Sequence, residues 1–322
     1  MVRKQSTFND ICKLINPEAL KVFQLPDYVQ TDENLVNMAN FYPLIKSLIV
    51  SVSPKSICEI GSDLGATTKL LSDYCYENSC TLHSVDPAFD KTERKSQLVY
   101  NYKMTSFEYL KNNQASQIYF IDGDHNFHTV FNELNLIKSS LIRNEEVVIF
   151  LHDVGWPCAY IDMYYDCSSI PEELRGLSHK NSIVKVLKDE YSQVYEGLPM
   201  DQVSVVSRSS RNSGVLGAVM EFLKKDMNSE FFKIPSIYGF GVLILNKNIS
   251  GEVYAEFSKL KNICSKFDVF LSILEFNRIR LLEKINASGE LWKEQQNYIA
   301  ELEKQIEVVR AENKMLSDII KE

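Results

Sequence analysis

The chain has no run of about 20 apolar residues such as a membrane-spanning helix requires. Its opening, Met-Val-Arg-Lys-Gln-Ser-Thr-Phe-Asn-Asp, has no apolar core of the kind that marks a secretory leader. These two absences predict a soluble, cytoplasmic protein with no transmembrane segment. Long stretches of Lys and Arg are also missing: 35 basic residues stand against 43 acidic ones, a formal net charge of −8. Such a chain is a poor partner for a polyanionic backbone, which argues against nucleic acid; a small or neutral substrate is more compatible. The cysteines number seven, an odd count, and none of them forms a C-x-x-C pair. That speaks against a zinc ribbon or a disulfide framework and predicts reduced thiols.

What is present is enough for one substantial core and an appendage: 322 residues, 45% of them hydrophobic. Residues 1–53 read as a helical preface whose last part, Phe41 to Val52, is apolar enough to pack on a sheet. From 54 to 250, strand and helix signals alternate. Short apolar runs at Ile57 to Ile60, Cys80 to Val85, Gln117 to Ile121 and Val147 to Leu151 are separated by helical patterns, one with Val130, Leu134, Ile137 and Leu141 on a single face. This alternation predicts an α/β domain with a doubly wound, mostly parallel sheet. Between 155 and 210 the alternation fails, and the Tyr-, Ser-, Pro- and Asp-rich segment reads as a substrate-side insertion or lid. A helix over Gly214 to Met227 and a closing strand pair, Phe231 to Ile234 and Phe240 to Leu245, complete the domain.

The C-terminus is different in kind. Residues 251–289 read as a helical connector and 290–322 as a coiled coil. Ile299, Leu302, Ile306, Val309, Asn313, Leu316 and Ile320 recur at alternating three- and four-residue steps, and a lone Asn at an a position is a device for a two-stranded, parallel register. The pattern predicts a homo-oligomer; the other reading is one amphipathic helix packed back on its own domain.

The stretch with most chemical content begins at Glu59-Ile-Gly-Ser-Asp-Leu-Gly65, where a buried strand turns into a helix. Glycines there let the backbone approach a ligand, and the free amides of a helix N-terminus offer hydrogen bonds. The dinucleotide fingerprint G-x-G-x-x-G is absent, because three residues lie between Gly61 and Gly65. The next strand ends in Asp86, from which a carboxylate can accept both hydroxyls of a ribose. A second concentration follows two later strands: Asp122-Gly-Asp-His125 with His128, and His152-Asp153. Three of the five histidines fall there, at strand ends where ligands of open α/β sheets bind. Imidazole and carboxylate can ligate a hard or borderline cation, and an imidazole, titrating near ~6.5, can take a proton at neutral pH. Asp124 can equally cap the following helix. His83 reads as a packed strand residue and His128 as a helix-start residue.

The acid-x-Gly-x-x-x-Gly turn resembles motif I of class I S-adenosylmethionine (SAM) methyltransferases. Asp122-Gly-Asp-His125, His152-Asp153, Gly155-Trp-Pro157, Arg211 to Leu216 and Phe231 to Leu245 together resemble a bacterial SAM-dependent family related to macrolide-sugar and antibiotic O-methyltransferases. The resemblance runs from about Pro43 to Leu245. It implies a seven-stranded, Rossmann-like methyltransferase sheet and SAM as cofactor. Glu59, Gly61, Ser62 and Gly65 would line the methionine and ribose side of SAM. Asp86 would hold the ribose, Ser106 would approach the adenine, and Asp122 would border the same pocket. His125 matches the general base of the sugar-methylating relatives. Asp122, His152 and Asp153 fall where metal-dependent relatives hold Mg2+ or another divalent cation, although several of those have an acid where this chain has His152. Tyr160-Ile161 likewise replaces a basic pair. The implied activity is methyl transfer to a sugar or glycan hydroxyl. The alternative is an inactive methyltransferase-like scaffold that tethers glycan-assembly partners through its coiled coil.

Overall fold

The computed structural model describes residues 37–141, 146–180, 182–184, 198–200, 203–206, 212–247 and 250–319. The preface before residue 37, Arg211 and Ile320 lie outside the described residues, as do the side chains of Val309, Asn313 and Leu316.

The chain enters through helix α1 (Tyr42–Val52), which carries proline in its first turn, where a missing N–H costs nothing, and ends at the left-handed Ser53. Its buried face, Ile45, Leu48 and Ile49, covers one side of the sheet. There follow β1 (Ser56–Ile60), α2 (Ala66–Asn78), β2 (Thr81–Val85), β3 (Glu93–Arg94), β4 (Val99–Tyr102), α3 (Ser106–Asn112), β5 (Ile118–Ile121), α4 (Phe127–Ser140) and β6 (Val147–His152). The insertion contributes β7 (Met163–Tyr164), β8 (Ser178–His179), β9 (Ser182–Val184), β10 (Leu198–Met200) and β11 (Ser204–Val206). Then come α5 (Gly214–Lys225), β12 (Glu230–Ile234), β13 (Phe240–Leu245) and α6 (Gly251–Ile319).

The main sheet has the order β12-β13-β6-β5-β1-β2-β4-β3. Strands β1, β2, β4, β5 and β6 pair in parallel, and the closing strand pair runs antiparallel, as β13 does to β6. Strands β5 and β6 read as near-continuous apolar runs because both faces of the sheet are covered: α1, α2 and the start of α6 on one side, α3, α4 and α5 on the other. The doubly wound, mostly parallel sheet expected from the sequence is therefore present. Its strand count is eight rather than seven. The extra member, β3, is a polar two-residue edge strand against β4, too short for any periodicity to announce it.

The insertion is not a bare loop. It folds into a three-stranded sheet, β7-β11-β8, and a two-stranded one, β9-β10, each built of strands of two or three residues. The presumed connector and the seam that follows it form one helix, α6, of 69 residues with no break at Gly289. At 1.5 Å per residue it is about 100 Å long. Val253, Phe257, Leu260 and Cys264, spaced four, three and four apart, are buried in the domain, so the first part of α6 belongs to the core. From Leu291 to Glu307 the side chains are exposed, which is not the packed-back arrangement. No described helix is long and apolar enough to cross a membrane.

Candidate active site at the switch point of the sheet

Strand order reverses at β1, whose two neighbours, β2 and β5, connect outward in opposite directions. In open α/β sheets the crevice at that point is where ligands bind. The pairings Ile60↔Val85, Ile60↔Ile121 and Ile121↔Leu151 place the next residues, Asp86, Gly61, Asp122 and His152, in one row at the carboxyl edge. Gly61 is in the left-handed region, φ 82°, and a Cβ there would lie 2.3 Å from the carbonyl oxygen of Asp122. Only glycine allows the two strand ends to come this close.

Glu59 is buried just below the turn. One carboxylate oxygen accepts from Thr68 Oγ1 (2.7 Å) and Ser84 Oγ (2.8 Å), while Oε1 has no hydrogen-bond partner among the described residues. Burial, against the pull of those two hydroxyls and with the Asp122 and Asp86 charges adding, raises the Glu59 carboxyl to about 7. Ser62 lies over it, its hydroxyl 2.6 Å from that of Ser84. The Ser62 amide donates to Asp86 Oδ2 (2.9 Å) and the Ala88 amide to Oδ1 (2.8 Å), so Asp86 ties the end of β2 to the glycine turn. Gly65, φ 81°, starts α2. Ser106 opens α3 behind a capping box made by Thr105 and Glu108, and its hydroxyl bonds the buried Glu133 of α4. Burial pushes the Glu133 carboxyl up to about 8, and its Oε2 is unpartnered among the described residues.

Beside this cradle the four acid and imidazole side chains expected to converge do so. His152 Nδ1 stands 3.2 Å from Asp122 Oδ1 and 3.4 Å from Asp153 Oδ2, and its Nε2 donates to the carbonyl of Ile237 (3.0 Å). Burial opposes protonation of His152, but the two carboxylates overcome it and hold the imidazolium well above the usual histidine range. Burial likewise opposes ionisation of Asp153, yet His152 and His125 hold its carboxyl at about 2. His125 Nδ1 lies 3.4 Å from the same oxygen, Asp153 Oδ2, and 3.6 Å from Cys158 Sγ. The Tyr165 ring meets the His125 ring edge-on at 5.4 Å. The backbone of His125 is pinned to the insertion, whose Met163 amide donates to its carbonyl (3.0 Å).

The expected cation ligands, Asp122, His152 and Asp153, each offer one atom within 4.8 Å of the other two. Two carboxylate oxygens and one imidazole nitrogen fit a borderline divalent ion such as Mn2+ or Zn2+ better than Mg2+, which favours an oxygen shell. Only Nδ1 of His152 faces the cluster, so a bound ion would displace the proton held there.

Several neighbours escaped the sequence reading. Cys158, buried against His125 and Asp153, sits six residues past a strand end in the insertion and carries no spacing signal. Ile237 and Glu133 are reached only through tertiary contacts. Of the remaining polar candidates, Asp124 accepts from Asn126 and Thr129, bracing the N-cap of α4. His83 bonds the Tyr102 hydroxyl inside the sheet, and His128 packs edge-on against Phe107.

No family model matches the chain, and no curated protein does. Among solved structures it is similar to a Staphylococcus aureus protein provisionally named a caffeoyl-CoA O-methyltransferase: 12% identity, 71% of this chain and 96% of that one covered, TM-score 0.41. A Podospora anserina methyltransferase with S-adenosylhomocysteine (SAH) bound gives 10%, 71%, 96% and 0.39. The SAM-bound O-methyltransferase TomG from Streptomyces achromogenes, involved in tomaymycin synthesis, gives 10%, 76%, 92% and 0.37.

Proposed function

We propose that this chain is a SAM-dependent O-methyltransferase that alkylates a hydroxyl oxygen of a sugar or glycan. The observation that carries the reading is the set of three carboxylates, Glu59, Asp86 and Asp122, gathered around the Gly61 turn at the switch point. SAM is a cationic nucleoside: its ammonium and sulfonium groups suit an acidic cradle, its ribose suits Asp86, and the orphaned Oε1 of Glu59 lacks the donor that a ligand N–H would supply. Ser106 is the residue proposed for the adenine side. The sugar acceptor is supported by the resemblance of the Asp122 to His125 segment to sugar-methylating enzymes.

In this reading His125 is the general base. Asp153 engages Nδ1, which leaves Nε2 to receive the acceptor proton, the base-and-orienter arrangement of nucleophile activation. The oxygen attacks the methyl carbon as the carbon–sulfur bond breaks; the electron pair stays on sulfur, SAH leaves, and the proton rests on His125. Holding both reactants in line is the main contribution the protein makes. A divalent ion on Asp122, His152 and Asp153 would, when bound, lower the acceptor pKa as a Lewis acid.

Isothermal titration with SAM tests the cofactor reading. A cation beside Glu59 favours its ionised form, so below about pH 7 binding expels a proton. Affinity for SAM is expected to weaken as the pH falls through that region, with the heat depending on buffer ionisation enthalpy at about pH 6 and not at about pH 8. No binding at high micromolar SAM would sink the enzyme reading and leave the inactive scaffold. pH-independent binding would detach Glu59 from the cofactor.

We further propose that the chain self-associates through the distal part of α6. Ile299, Leu302 and Ile306 lie on the seam and are exposed, apolar surface that a second helix would cover. Removing the residues after Gly289 is expected to lower the mass measured by light scattering to that of a monomer. An unchanged mass would place any assembly elsewhere.

A further inference from the structure

We infer that Glu275, on α6, is a positioning residue for His152: its carboxylate holds the Ile237–Tyr238 turn whose backbone carbonyl orients the His152 ring. The geometry stands by itself; its bearing on catalysis rests on the methyltransferase reading.

Two consecutive residues in the β12–β13 turn, Ile237 (φ 50°) and Tyr238 (φ 62°), are left-handed. A β-branched residue rarely adopts that conformation, and such outliers persist only where the surroundings impose them. Here the imposing group is a single carboxylate. The Ile237 amide donates to Glu275 Oε2 (2.9 Å) and the Tyr238 amide to Oε1 (2.8 Å). One helical turn further, Arg278 closes on the same oxygens through Nε (2.8 Å) and Nη2 (2.7 Å), and its guanidinium lies over the Tyr238 ring, 4.5 Å from the centroid. Although burial opposes its ionisation, Glu275 is held below the usual carboxylate range by Arg278 and these amides.

The turn in its turn grips the catalytic edge of β6. The carbonyl of Ile237 accepts from His152 Nε2 (3.0 Å), that of Tyr238 from the Gly155 amide (2.6 Å), and that of Gly239 from the Val154 amide (3.3 Å). A Cβ on Gly155 would lie 2.4 Å from the Tyr238 oxygen, so the two backbones are in contact with no slack between them. Releasing Ile237 to right-handed or extended backbone would swing its carbonyl off Nε2. His152 would then lose the contact that aims Nδ1 at Asp122 and Asp153. Glu275 therefore acts on the site through one turn, without touching it.

The test uses the full chain with 15N-labelled histidine, and His152→Asn to assign the His152 signal. In the unmodified protein the His152 Nε2–H resonance should be protected from exchange with water. In Glu275→Ala it should be lost, with the His83 and His128 signals unmoved. In Glu275→Gln, whose amide nitrogen cannot accept, one backbone N–H is released and exchange of the His152 proton should speed up. A protected signal at full intensity in Glu275→Ala overturns the inference; if that variant does not fold, wild-type exchange in Glu275→Gln overturns it. SAM affinity by titration should stay within about threefold in both variants, because neither substitution touches the cradle. Absence of SAM binding in the unmodified chain would count against the cofactor reading and leave the imidazole signal to judge Glu275.

Discussion

Gly61→Ala is expected to remove SAM binding and to cost the folded chain about 2–5 kcal/mol. Two effects add. A left-handed φ of 82° is unfavourable for any L-residue with a Cβ, by about 1–2 kcal/mol. The new methyl group would also stand 2.3 Å from the Asp122 carbonyl, an overlap that only a backbone shift can relieve, at a further ~1–3 kcal/mol. That shift would spread the row of Asp86, Gly61 and Asp122 on which the cofactor reading depends. Gly65→Ala supplies the internal comparison. Its φ is nearly the same, but the nearest atoms to an added Cβ are 3.9 Å away, so only the conformational cost of about 1–2 kcal/mol applies. Urea denaturation of both variants, with SAM titration of whatever remains folded, measures the difference. Equal losses of stability would mean that the contact between the two strand ends does not matter.

His125→Ala should leave the cradle intact and lower methyl transfer by about 10²–10⁴-fold, the usual contribution of a positioned base. The ring is seated by three groups, Asp153, Cys158 and Tyr165, none of which belongs to the glycine turn, so SAM affinity should hardly change. Transfer of a labelled methyl group from SAM to a hydroxyl acceptor that the unmodified chain methylates is the measurement. Turnover within a few-fold of the parent would remove His125 from the mechanism. Tight SAM binding with transfer abolished would separate chemistry from binding.

Both experiments address residues legible in the sequence alone, and the reason is local. Asp86, Asp122, His125 and Asp153 each stand within a few residues of the end of an apolar run. In a parallel sheet those ends share one edge, so reading the strands also reads the edge. The same logic reached the closing pair β12 and β13, whose aromatic and aliphatic runs are long enough to show. It missed β3 and the small sheets of the insertion, where two or three residues form a strand only because a neighbour is there to pair with. It also divided α6 at Gly289, where a helix already anchored by Phe257 and Leu260 continues through a glycine.

By itself, then, the sequence determined what repeats or lies side by side along the chain: alternation of strands and helices, a turn that must be glycine, and carboxylates and imidazoles at strand ends. Only the tertiary structure decided what depends on burial and on residues far apart. The His152 imidazole was held well above the usual histidine range because folding set Asp122 and Asp153 against it, more than offsetting the burial that opposes its charge. Burial raised the Glu59 carboxyl to about 7 against the pull of two hydroxyls, with the Asp122 and Asp86 charges adding. Glu275, 123 positions beyond His152 in the chain, came under the same site because α6 packs across the turn that holds it. Periodicity is a property of neighbours along the chain, whereas charge state and orientation belong to neighbours in space.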